Sequence, residues 1–315
     1  MTSLAFVFPG QGSQAVGMLS EMGECHPIIK DTFTEASDQI GLDLWKMAQS
    51  GSAETLALTE NTQPLMLTSS TALFRVWQQH GGRHPSVAAG HSLGEFSALV
   101  AADSLRFGDA VRLVRLRGQA MQVAVPVGEG AMAAVIGLED EPINQMCVQI
   151  SAESGLPVLA VNFNSPGQVV IAGNAEAVSL AAEALKAGGA KRVLPLPVSA
   201  PFHTPMMQHA ADVIGEELSG MTISVPKMPV ISNVNGEPQS DPEEIRRLLV
   251  EQVVSPVRWT ACMDAMLQMG CKDFVECGPG RVLSGLTRRI SREARGYGVE
   301  TPEQLESTLV ELAQE

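Results

Sequence analysis

The sequence contains few cysteines, and their spacing fits neither a metal site nor a disulfide framework. There are five, an odd number, and no two of them form a Cys-x-x-Cys pair. A disulfide-stabilised fold and a zinc site are therefore both disfavoured. We expect the cysteines to be reduced and mostly structural: Cys25, Cys147, Cys262, Cys271 and Cys277.

Long hydrophobic runs are also missing. The first residues, MTSLAFVFPGQ, have no basic group before their apolar run, and that run is too short for a secretory signal or a membrane span. With 45% hydrophobic residues among 315 and a mean hydropathy of +0.10, the chain can still bury a large core in one domain or two. We expect a soluble globular protein of the cytoplasm.

Positive charge is scarce, since 21 Lys and Arg stand against 35 Asp and Glu, a formal net charge of −14. This balance disfavours nucleic acid or an anionic membrane as the main partner. An acidic partner would need a local basic patch, although a solvated helix face explains any single basic residue at least as well. Two clusters could form such a patch: Lys191 with Arg192, and Arg281, Arg288, Arg289, Arg292 and Arg295.

The stretch 88–96, AAGHSLGEF, contains the pattern Gly-x-Ser-x-Gly around Ser92. A strand pattern precedes it at 86–90, and helix-forming sequence follows. A sharp strand-to-helix turn would hold the serine hydroxyl clear of the backbone and aim the first N–H groups of the helix at an oxyanion. The motif alone also fits an ordinary tight turn, so it is the strand-turn-helix context that indicates a nucleophile.

A glycine-rich loop, PGQGSQ at 9–14, follows a predicted strand at 4–8. It lacks the Lys-Ser/Thr pair of a Walker loop, and Gly17 comes too late for Gly-x-Gly-x-x-Gly. A phosphate cradle is therefore disfavoured. The loop is suited instead to pointing a backbone N–H into a cleft.

A helix is predicted over 109–124, and its spacing places Arg117 on the same stripe as Val114, Gly118 and Met121. A guanidinium on the apolar side must be paired, because an unpaired buried charge is very costly. A buried salt bridge to an acidic side chain and a bidentate grip on a substrate carboxylate both meet that need. Spacing alone slightly favours the salt bridge.

The middle of the chain predicts the element order βαββαβ, which matches a ferredoxin-like subdomain at residues 128–198. We expect an α/β fold in which this subdomain is inserted into a larger, hydrolase-like domain with a parallel sheet, made of residues 1–127 and 199–315. A ligand cleft would lie between the two. The predicted strands are 131–137, 157–161, 168–172 and 191–196, and the helices are 142–154 and 175–187.

Other elements complete the larger domain. A strand ending at Cys277 runs into Gly278-Pro279-Gly280 and repeats the strand-loop-helix pattern of the serine turn. The acidic segment after Gly298 predicts a surface helix or a tail. Further helices are predicted at 27–39, 64–80 with Pro64 in the first turn, 242–253 and 260–269, and a further strand near 229–232.

His203 is the preferred general base. Thr204 suits an N-cap and Pro205 a first helical position, so His203 has the most rigidly framed backbone of the six histidines. A lone histidine is nevertheless more often structural. His91 is the rival base, but consecutive residues at a turn usually project differently, and we interpret His91 as packing or polar support beside Ser92.

Taken together, these motifs resemble the malonyl-CoA:acyl carrier protein transacylases of fatty acid synthesis. The resemblance extends from Phe6 to about Ile290, and several motifs in the same order make it highly specific. They are FPGQGSQ at 8–14, GHSLGE at 90–95, Arg117-Gly118, NFNSPGQ at 162–168, Phe202-His203 and Gly278-Pro279-Gly280.

The resemblance implies a reaction through an acyl-serine. Ser92 would attack the malonyl thioester, while His203 accepts its proton and later returns it to the leaving thiol. The backbone N–H groups of Gln11 and Leu93 would stabilise the oxyanion. A main-chain carbonyl near Gln252 would orient the histidine in place of a triad carboxylate.

The resemblance also implies the substrates. It assigns Arg117 to the malonyl carboxylate, places Gln63 and Asn162 in the cleft, and gives Phe202 the role of crowding an α-methyl branch. Malonyl-CoA and the phosphopantetheine thiol of holo acyl carrier protein would react in a ping-pong cycle, without metal or bound cofactor, on a monomeric enzyme. From the basic clusters in the sequence, we expect the carrier protein to dock on a patch of Lys191, Arg192, Arg281, Arg288 and Arg289.

Two other functions remain open from the residues alone. A thioesterase or other serine hydrolase could use the same Ser92 turn, and water would then resolve its acyl-enzyme. A catalytically idle scaffold could bind carrier protein through the basic cluster that begins at Arg281.

Overall fold

The structure is a computed structural model that describes residues 3–198 and 200–313. Within this range the chain forms ten strands and fourteen α-helices, and none of these helices has the length and apolarity that a membrane crossing requires. The strands are β1 (Ser3–Phe8), β2 (Val87–Gly90), β3 (Gly130–Ile136), β4 (Val158–Ser165), β5 (Gln168–Asn174), β6 (Arg192–Pro195), β7 (Val230–Ile231), β8 (Pro238–Gln239), β9 (Cys271–Glu276) and β10 (Arg295–Gly298). The helices are α1 (Ser20–Cys25), α2 (Pro27–Ile40), α3 (Leu44–Ser50), α4 (Ala53–Ala57), α5 (Thr59–Gln79), α6 (Gly94–Ala101), α7 (Phe107–Val123), α8 (Asp140–Ser154), α9 (Ala175–Ala187), α10 (Gln208–Ser219), α11 (Pro242–Val254), α12 (Trp259–Gln268), α13 (Val282–Ile290) and α14 (Pro302–Ala313).

A parallel-rich sheet of six strands, in the order β10-β9-β1-β2-β7-β8, forms the larger part of the fold. Among its described strands, β8 alone runs antiparallel to its neighbour. β1 is central and buried on both faces, as its continuous hydrophobic run predicts. Phe6 and Phe8 pack into the core formed with α2, α5 and α7, whereas Ala5 and Val7 pack into a second core formed with α12. The predicted α/β fold with a parallel sheet is confirmed.

Three loops meet at one edge of this sheet. Phe8 at the end of β1 is in register with Gly90 at the end of β2, and Val7 is in register with Glu276 at the end of β9. Because parallel strands present their carboxyl ends at the same edge, the loops that follow β1, β2 and β9 are neighbours. The glycine-rich loop and the serine turn therefore lie side by side.

The two glycines around Ser92 permit unusually close backbone contacts. A Cβ atom on Gly94 would lie 2.0 Å from the carbonyl oxygen of Phe8, and one on Gly90 would lie 1.8 Å from the carbonyl carbon of Gly94. Neither distance is possible for a side-chain carbon. Glycine at both positions thus lets β1, β2 and the start of α6 touch.

A second sheet of four strands has the order β4-β5-β3-β6, with every pair antiparallel. One face packs on α8 and α9 through residues such as Val135 and Ile171. The other face carries Met132, Val161 and Ala172 and packs against Phe202. Its elements follow one another in the predicted order βαββαβ. The predicted domain boundary at residue 199, and residues 1, 2, 314 and 315, lie outside the described part of the chain.

The start of α5 differs from the prediction. We expected a helix that begins at Pro64, but α5 begins at Thr59 and contains Pro64 in its interior. Proline lacks the N–H that would bond to the carbonyl of Glu60, four residues earlier. The guanidinium of Arg115 donates to that carbonyl instead, at 3.0 Å. A contact between two helices thus compensates for the missing backbone bond.

The stripe predicted on the helix that carries Arg117 is confirmed. In α7, Val114, Arg117, Gly118 and Met121 are all buried, whereas Arg112 is exposed. A Cβ on Gly118 would lie 2.6 Å from the Cα of Glu60, so this glycine lets α7 approach the start of α5. The close approach aligns Arg117 with the serine turn.

Candidate active site

Ser92 occupies a strained turn between β2 and α6. Its backbone has a φ of 51°, in the left-handed region that residues with a side chain seldom adopt. The Ser92 N–H donates to Oδ1 of Asn233 at 2.7 Å, and Nδ2 of the same asparagine donates to the carbonyl of Gly90 at 2.7 Å. One side chain from the neighbouring strand region therefore pins the turn on both sides of the serine.

His203 accepts a hydrogen bond from the hydroxyl of Ser92. Ser92 Oγ lies 2.8 Å from His203 Nε2, and His203 Nδ1 lies 2.9 Å from the carbonyl oxygen of Gln252. The carbonyl can only accept, so Nδ1 carries the proton and Nε2 has the free lone pair. Thr204 caps the turn that follows, as predicted, and His203 itself has a φ of 63°.

His203 is neutral at physiological pH. The side chain is 4% exposed, and burial, with the nearby charge of Arg117 as the next cause, lowers the pKa of His203 to about 3. Its orienting partner is the main-chain carbonyl of Gln252 rather than a carboxylate. The imidazole is thus ready to accept a proton from Ser92 without first losing one.

Arg117 places a buried positive charge beside the serine. Its side chain is 2% exposed, with Nη1 at 2.9 Å from Oε1 of Gln63 and Nη2 at 2.9 Å from Oε1 of Gln252. Nη2 also lies 3.3 Å from Ser92 Oγ, and the guanidinium lies over the ring of Phe96 at 5.4 Å. Burial lowers the pKa of Arg117 to about 10, so the group remains charged at neutral pH.

The salt bridge that spacing alone favoured for Arg117 is wrong. Among residues 3–198 and 200–313, no carboxylate lies within ion-pair distance of this guanidinium, and its Nε has no hydrogen-bond partner. The contacts are neutral oxygens, because Gln63 and Gln252 take the places where acidic side chains were expected. A buried cation with neutral partners and a free donor can bind an anionic ligand.

A cavity opens over these groups, between the large sheet and the four-stranded sheet. Met132, Leu196 and Val198 form an apolar wall from the side of the four-stranded sheet, and Phe202 adjoins them. Polar groups converge on the opposite side. The residues lining the cavity are Gln11, Thr59, Gln63, His91, Ser92, Leu93, Arg117, Met121, Met132, Asn162, Leu196, Val198, Phe202 and His203.

The other residues expected at the site line this same cavity, except that Gln252 lies directly behind it. Gln11 follows β1, and its Nε2 lies 3.4 Å from Oγ1 of Thr59. Leu93 is the residue immediately before α6, at the positive end of the helix dipole. Asn162 presents a buried Oδ1 that has no hydrogen-bond partner among the described residues.

His91 does not contact the serine hydroxyl. Its Nε2 lies 2.8 Å from Oδ1 of Asn164, and its ring packs against Trp259 with centroids 5.7 Å apart. Burial lowers the pKa of His91. The interpretation of His91 as packing and polar support for the turn agrees with these contacts.

Sequence reasoning missed two polar residues behind the cavity, Asn233 and Glu95. Asn233 follows β7, which pairs with β2, so it lies at the same sheet edge as the serine turn. A polar residue just beyond the end of a strand next to β2 was the available signal. Glu95 was noted only as part of the motif, and its carboxylate is buried beneath Ser92.

The basic residues of the expected docking patch are all exposed. Arg289 donates to Oε1 of Gln168 at 2.6 Å, which connects α13 with the edge of β5. Gln168 is in register with Ile136, and Ile136 is in register with Arg192. Arg289 and Arg192 therefore lie at the same end of the four-stranded sheet, where the backbones of Gln168 and Arg192 are roughly 10 Å apart by two strand spacings.

Comparison with known proteins adds to this geometry. Residues 5–301 match the family described as the acyl transferase domain. The chain is 54% identical, over 92% of its length and 93% of the relative, to a malonyl CoA-acyl carrier protein transacylase of Escherichia coli O157:H7. It is 44% identical over its full length to the protein of that name in Bacillus subtilis strain 168, of which it covers 99%.

Solved structures give the same result. The structure of a malonyl CoA-acyl carrier protein transacylase from Coxiella burnetii matches with a TM-score of 0.97 and 45% identity, over 99% of this chain and 98% of that one. A malonyl-transacylase solved in complex with a type II polyketide acyl carrier protein matches with a TM-score of 0.96 and 48% identity. That match covers 98% of this chain and all of the other.

Proposed function

Because the chain belongs to the acyl transferase family, as an acyltransferase of the malonyl CoA-acyl carrier protein transacylase group, we propose that it moves malonyl from coenzyme A to acyl carrier protein. The acceptor is the phosphopantetheine thiol of the carrier protein. The reaction passes through a malonyl ester of Ser92, in a ping-pong cycle that supplies fatty acid synthesis.

One observation carries this proposal. Ser92 Oγ lies 2.8 Å from His203 Nε2 and 3.3 Å from Nη2 of Arg117, inside one cavity. A nucleophile, a base and a buried cation with a free Nε donor are therefore within reach of a single small ligand. A short acyl group whose far end is a carboxylate satisfies all three.

Acylation begins when Ser92 Oγ attacks the thioester carbonyl of malonyl-CoA and His203 Nε2 accepts the hydroxyl proton. The backbone N–H groups of Gln11 and Leu93 stabilise the resulting oxyanion, and the dipole of α6 adds to that stabilisation. The C–S bond then breaks, and the imidazolium gives its proton to the departing coenzyme A thiolate. Malonyl-Ser92 and free coenzyme A remain.

Deacylation repeats these steps with a different thiol. His203 accepts the proton of the phosphopantetheine thiol as the sulfur attacks the ester carbonyl of malonyl-Ser92. When the second tetrahedral intermediate collapses, the C–O bond to the serine breaks and the proton returns to Oγ. The products are malonyl acyl carrier protein and the original enzyme.

Binding of the substrate carboxylate also changes the pKa of His203. The charge of Arg117 is one of the causes that lower the pKa of His203. A malonyl carboxylate bound to Arg117 offsets that charge, so the pKa of His203 rises when malonyl binds. His203 is therefore a stronger base when a malonyl group is bound than when an uncharged acyl group is bound. Gln63 and Asn162 complete the polar side of the pocket.

The carrier protein docks on the patch formed by Lys191, Arg192, Arg281, Arg288 and Arg289. Support comes from their exposure and from the contact of Arg289 with Gln168, which brings the two clusters to one end of the four-stranded sheet. In a chain with a net charge of −14, such a cluster gives an acidic partner a defined point of attraction.

Residues 128–198 form a ferredoxin-like subdomain inserted into a discontinuous larger domain of residues 1–127 and 199–315. The strand order β4-β5-β3-β6 and the two helices on one face support this division. The cavity lies between the two parts, as an inserted subdomain that covers a nucleophile would require.

The proposal is tested by incubating the wild type and Ser92→Ala with radiolabelled malonyl-CoA. We expect label on the wild-type protein and none on the alanine variant, which has no hydroxyl to acylate. Ser284→Ala is the matched control, since Ser284 is buried in α13 and donates to the carbonyl of Tyr297 at 3.1 Å. Label that persists in Ser92→Ala would exclude the acyl-serine.

A further inference from the structure

Glu95 is a buried carboxylate to which the reaction described above gives no role. It lies in the first turn of α6, three residues after Ser92, and is 3% exposed. Its Oε2 accepts hydrogen bonds from Nε2 of Gln252 at 2.7 Å and from the backbone N–H of Asn233 at 3.1 Å. Glu95 does not line the cavity, so it acts on the reaction through its hydrogen-bond partners and through its charge rather than by touching the substrate.

Gln252 connects Glu95 to all three reacting groups. Its main-chain carbonyl accepts from His203, and its side-chain oxygen accepts from Arg117. Its side-chain amide donates both to Glu95 and to the main-chain carbonyl of Ser92, the latter at 3.0 Å. A shift of this one residue would move the base, the cation and the nucleophile together.

Asn233 gives Glu95 a second connection to the serine turn. The bond from its backbone N–H to Glu95 fixes the residue whose side chain holds the Ser92 N–H and the Gly90 carbonyl. The strained φ of Ser92 persists only while its surroundings hold it. Glu95 thus forms hydrogen bonds with both residues that support the turn, Gln252 and Asn233.

Ionisation of Glu95 in this buried position has a free-energy cost. Burial raises the pKa of Glu95 to about 7, while its hydrogen bonds and the charge of Arg117 act in the opposite direction. A neutral side chain would fill this space without that cost. The placement suggests that the negative charge itself is used.

The ionisable groups that face Glu95 are few. Arg117 faces it from α7, Cys262 faces it from α12, and His203 is linked to it through Gln252. The packed strands β1, β2 and β7 carry no ionisable side chain. On α5, Glu60 and Arg75 form ion pairs elsewhere, with Arg115 and Glu35.

We infer that Glu95 is a positioning residue for acyl transfer, whose ionised carboxylate holds His203, Arg117 and the Ser92 turn in their reacting geometry through Gln252 and Asn233. The inference rests on the proposed function. A charge-assisted hydrogen bond fixes Gln252 more firmly than a bond to a neutral oxygen does. Protonation of Glu95 therefore loosens the base and the cation at the same time.

Glu95→Gln tests this role, because it removes the charge and keeps an oxygen acceptor for Gln252 and Asn233. We expect serine acylation by malonyl-CoA to be about tenfold slower than in the wild type at about pH 8. Near pH 6 the wild-type carboxyl is protonated as well, so the two rates should converge. The wild type thus gains rate between these pH values, and Glu95→Gln does not.

Thermal stability gives a second readout, because replacing a purely structural residue would lower the melting temperature rather than raise it. The pKa of Glu95 rises from 4.5 in the unfolded chain to about 7 in the folded protein, so stability falls as the pH rises through this interval. Glu95→Gln escapes that loss and should melt at a higher temperature than the wild type at about pH 8. Slower acylation together with a higher Tm is the expected signature.

Glu276→Gln is the matched control. Glu276 is also a buried carboxylate, but it accepts from the backbone N–H groups of Leu283 and Ser284 at the start of α13. Its variant should acylate at the wild-type rate at both pH values. A Glu95→Gln variant that matches the wild type at about pH 8, or one that is slower by the same factor at both pH values, overturns the inference.

Reaction with a fluorophosphonate distinguishes a failure of the inference about Glu95 from a failure of the proposed function. This reagent phosphonylates an activated serine: Oγ forms a bond to phosphorus, fluoride leaves, and no recognition of malonyl is needed. If malonyl-CoA does not label the wild type, the proposed function fails, and the rate of phosphonylation of Ser92 still reports the positioning of the base. Glu95→Gln should react about tenfold more slowly than the wild type with this reagent at about pH 8, and an equal rate overturns the inference.

Discussion

The turns that follow β2 and β9 lie on either side of β1, and each brings a buried glutamate close to the start of a helix. At the end of β9, Glu276 accepts hydrogen bonds from the N–H groups of Leu283 and Ser284 in the first turn of α13 and so caps that helix. After β2, Glu95 bonds instead to Gln252 and Asn233, which are distant in sequence and hold the reacting groups. The same strand-to-helix topology thus supports a helix at one turn and a nucleophile at the other.

The comparison identifies what turns this topology into a reactive site. Ser92 has a strained backbone and an adjacent base and cation, whereas Gly278-Pro279-Gly280 packs against Pro9 and Ser13 of the neighbouring loop. The strain at Ser92 is held by side chains from outside its own turn. Substitutions near β2 should therefore change the acylation of Ser92, and those near β9 should leave that step unchanged.

Gly94→Ala should have the largest effect, because a Cβ there would lie 2.0 Å from the carbonyl of Phe8. We expect a loss of about 3 kcal/mol in the free energy of unfolding, together with a displaced serine turn. Gly285→Ala in α13 is the matched substitution. A Cβ at Gly285 meets no atom within 4 Å, so it should stabilise the protein by roughly 0.5–1 kcal/mol. Urea denaturation measures the free energy of unfolding of both variants, and equal changes would contradict the difference between the two turns.

Arg117→Ala should lower kcat/KM for malonyl-CoA by roughly 10- to 150-fold, the equivalent of 1.5–3 kcal/mol for a charge-assisted contact. Acetyl transfer should change much less, because an acetyl group has no carboxylate to bind. Arg112→Ala is the control, since Arg112 on the same helix forms an exposed ion pair with Asp109. An equal loss for malonyl and acetyl would assign Arg117 a structural role.

Charge reversal at the end of α13 should have the smallest effect. Arg288→Glu with Arg289→Glu should raise KM for carrier protein roughly fivefold at low salt, and less at high salt. Acylation by malonyl-CoA should be unchanged, because these residues do not line the cavity. Unchanged carrier-protein kinetics would reject this docking patch and leave the β9 side with no part in the reaction.

Local patterns were sufficient to predict much of the fold. The serine turn, the cap at Thr204 and the buried stripe of α7 each depend on residues close together in sequence. The start of α5 could not be predicted this way. It depends on a hydrogen bond from Arg115 to Glu60, 55 residues apart, which compensates for the proline.

The site shows the same limit. The sequence pattern indicated Ser92 and His203, and the resemblance assigned Arg117 to a carboxylate. The supports behind them bond across 138 and 157 residues, from Asn233 and Gln252 to Glu95. No local spacing records such contacts. The salt bridge expected for Arg117 failed for the same reason, because spacing showed that the cation was buried but not that glutamines surround it.

The most direct test of the account follows the label in the wild-type protein. The enzyme is loaded with radiolabelled malonyl-CoA, and the loaded enzyme is divided between buffer and holo acyl carrier protein. In a parallel loading reaction, acetyl-CoA and methylmalonyl-CoA compete with malonyl-CoA as acyl donors. We predict that label moves from the protein to the carrier protein, that little appears as free malonate, and that malonyl is the preferred acyl group. Release of malonate at the same rate with and without carrier protein would contradict the account.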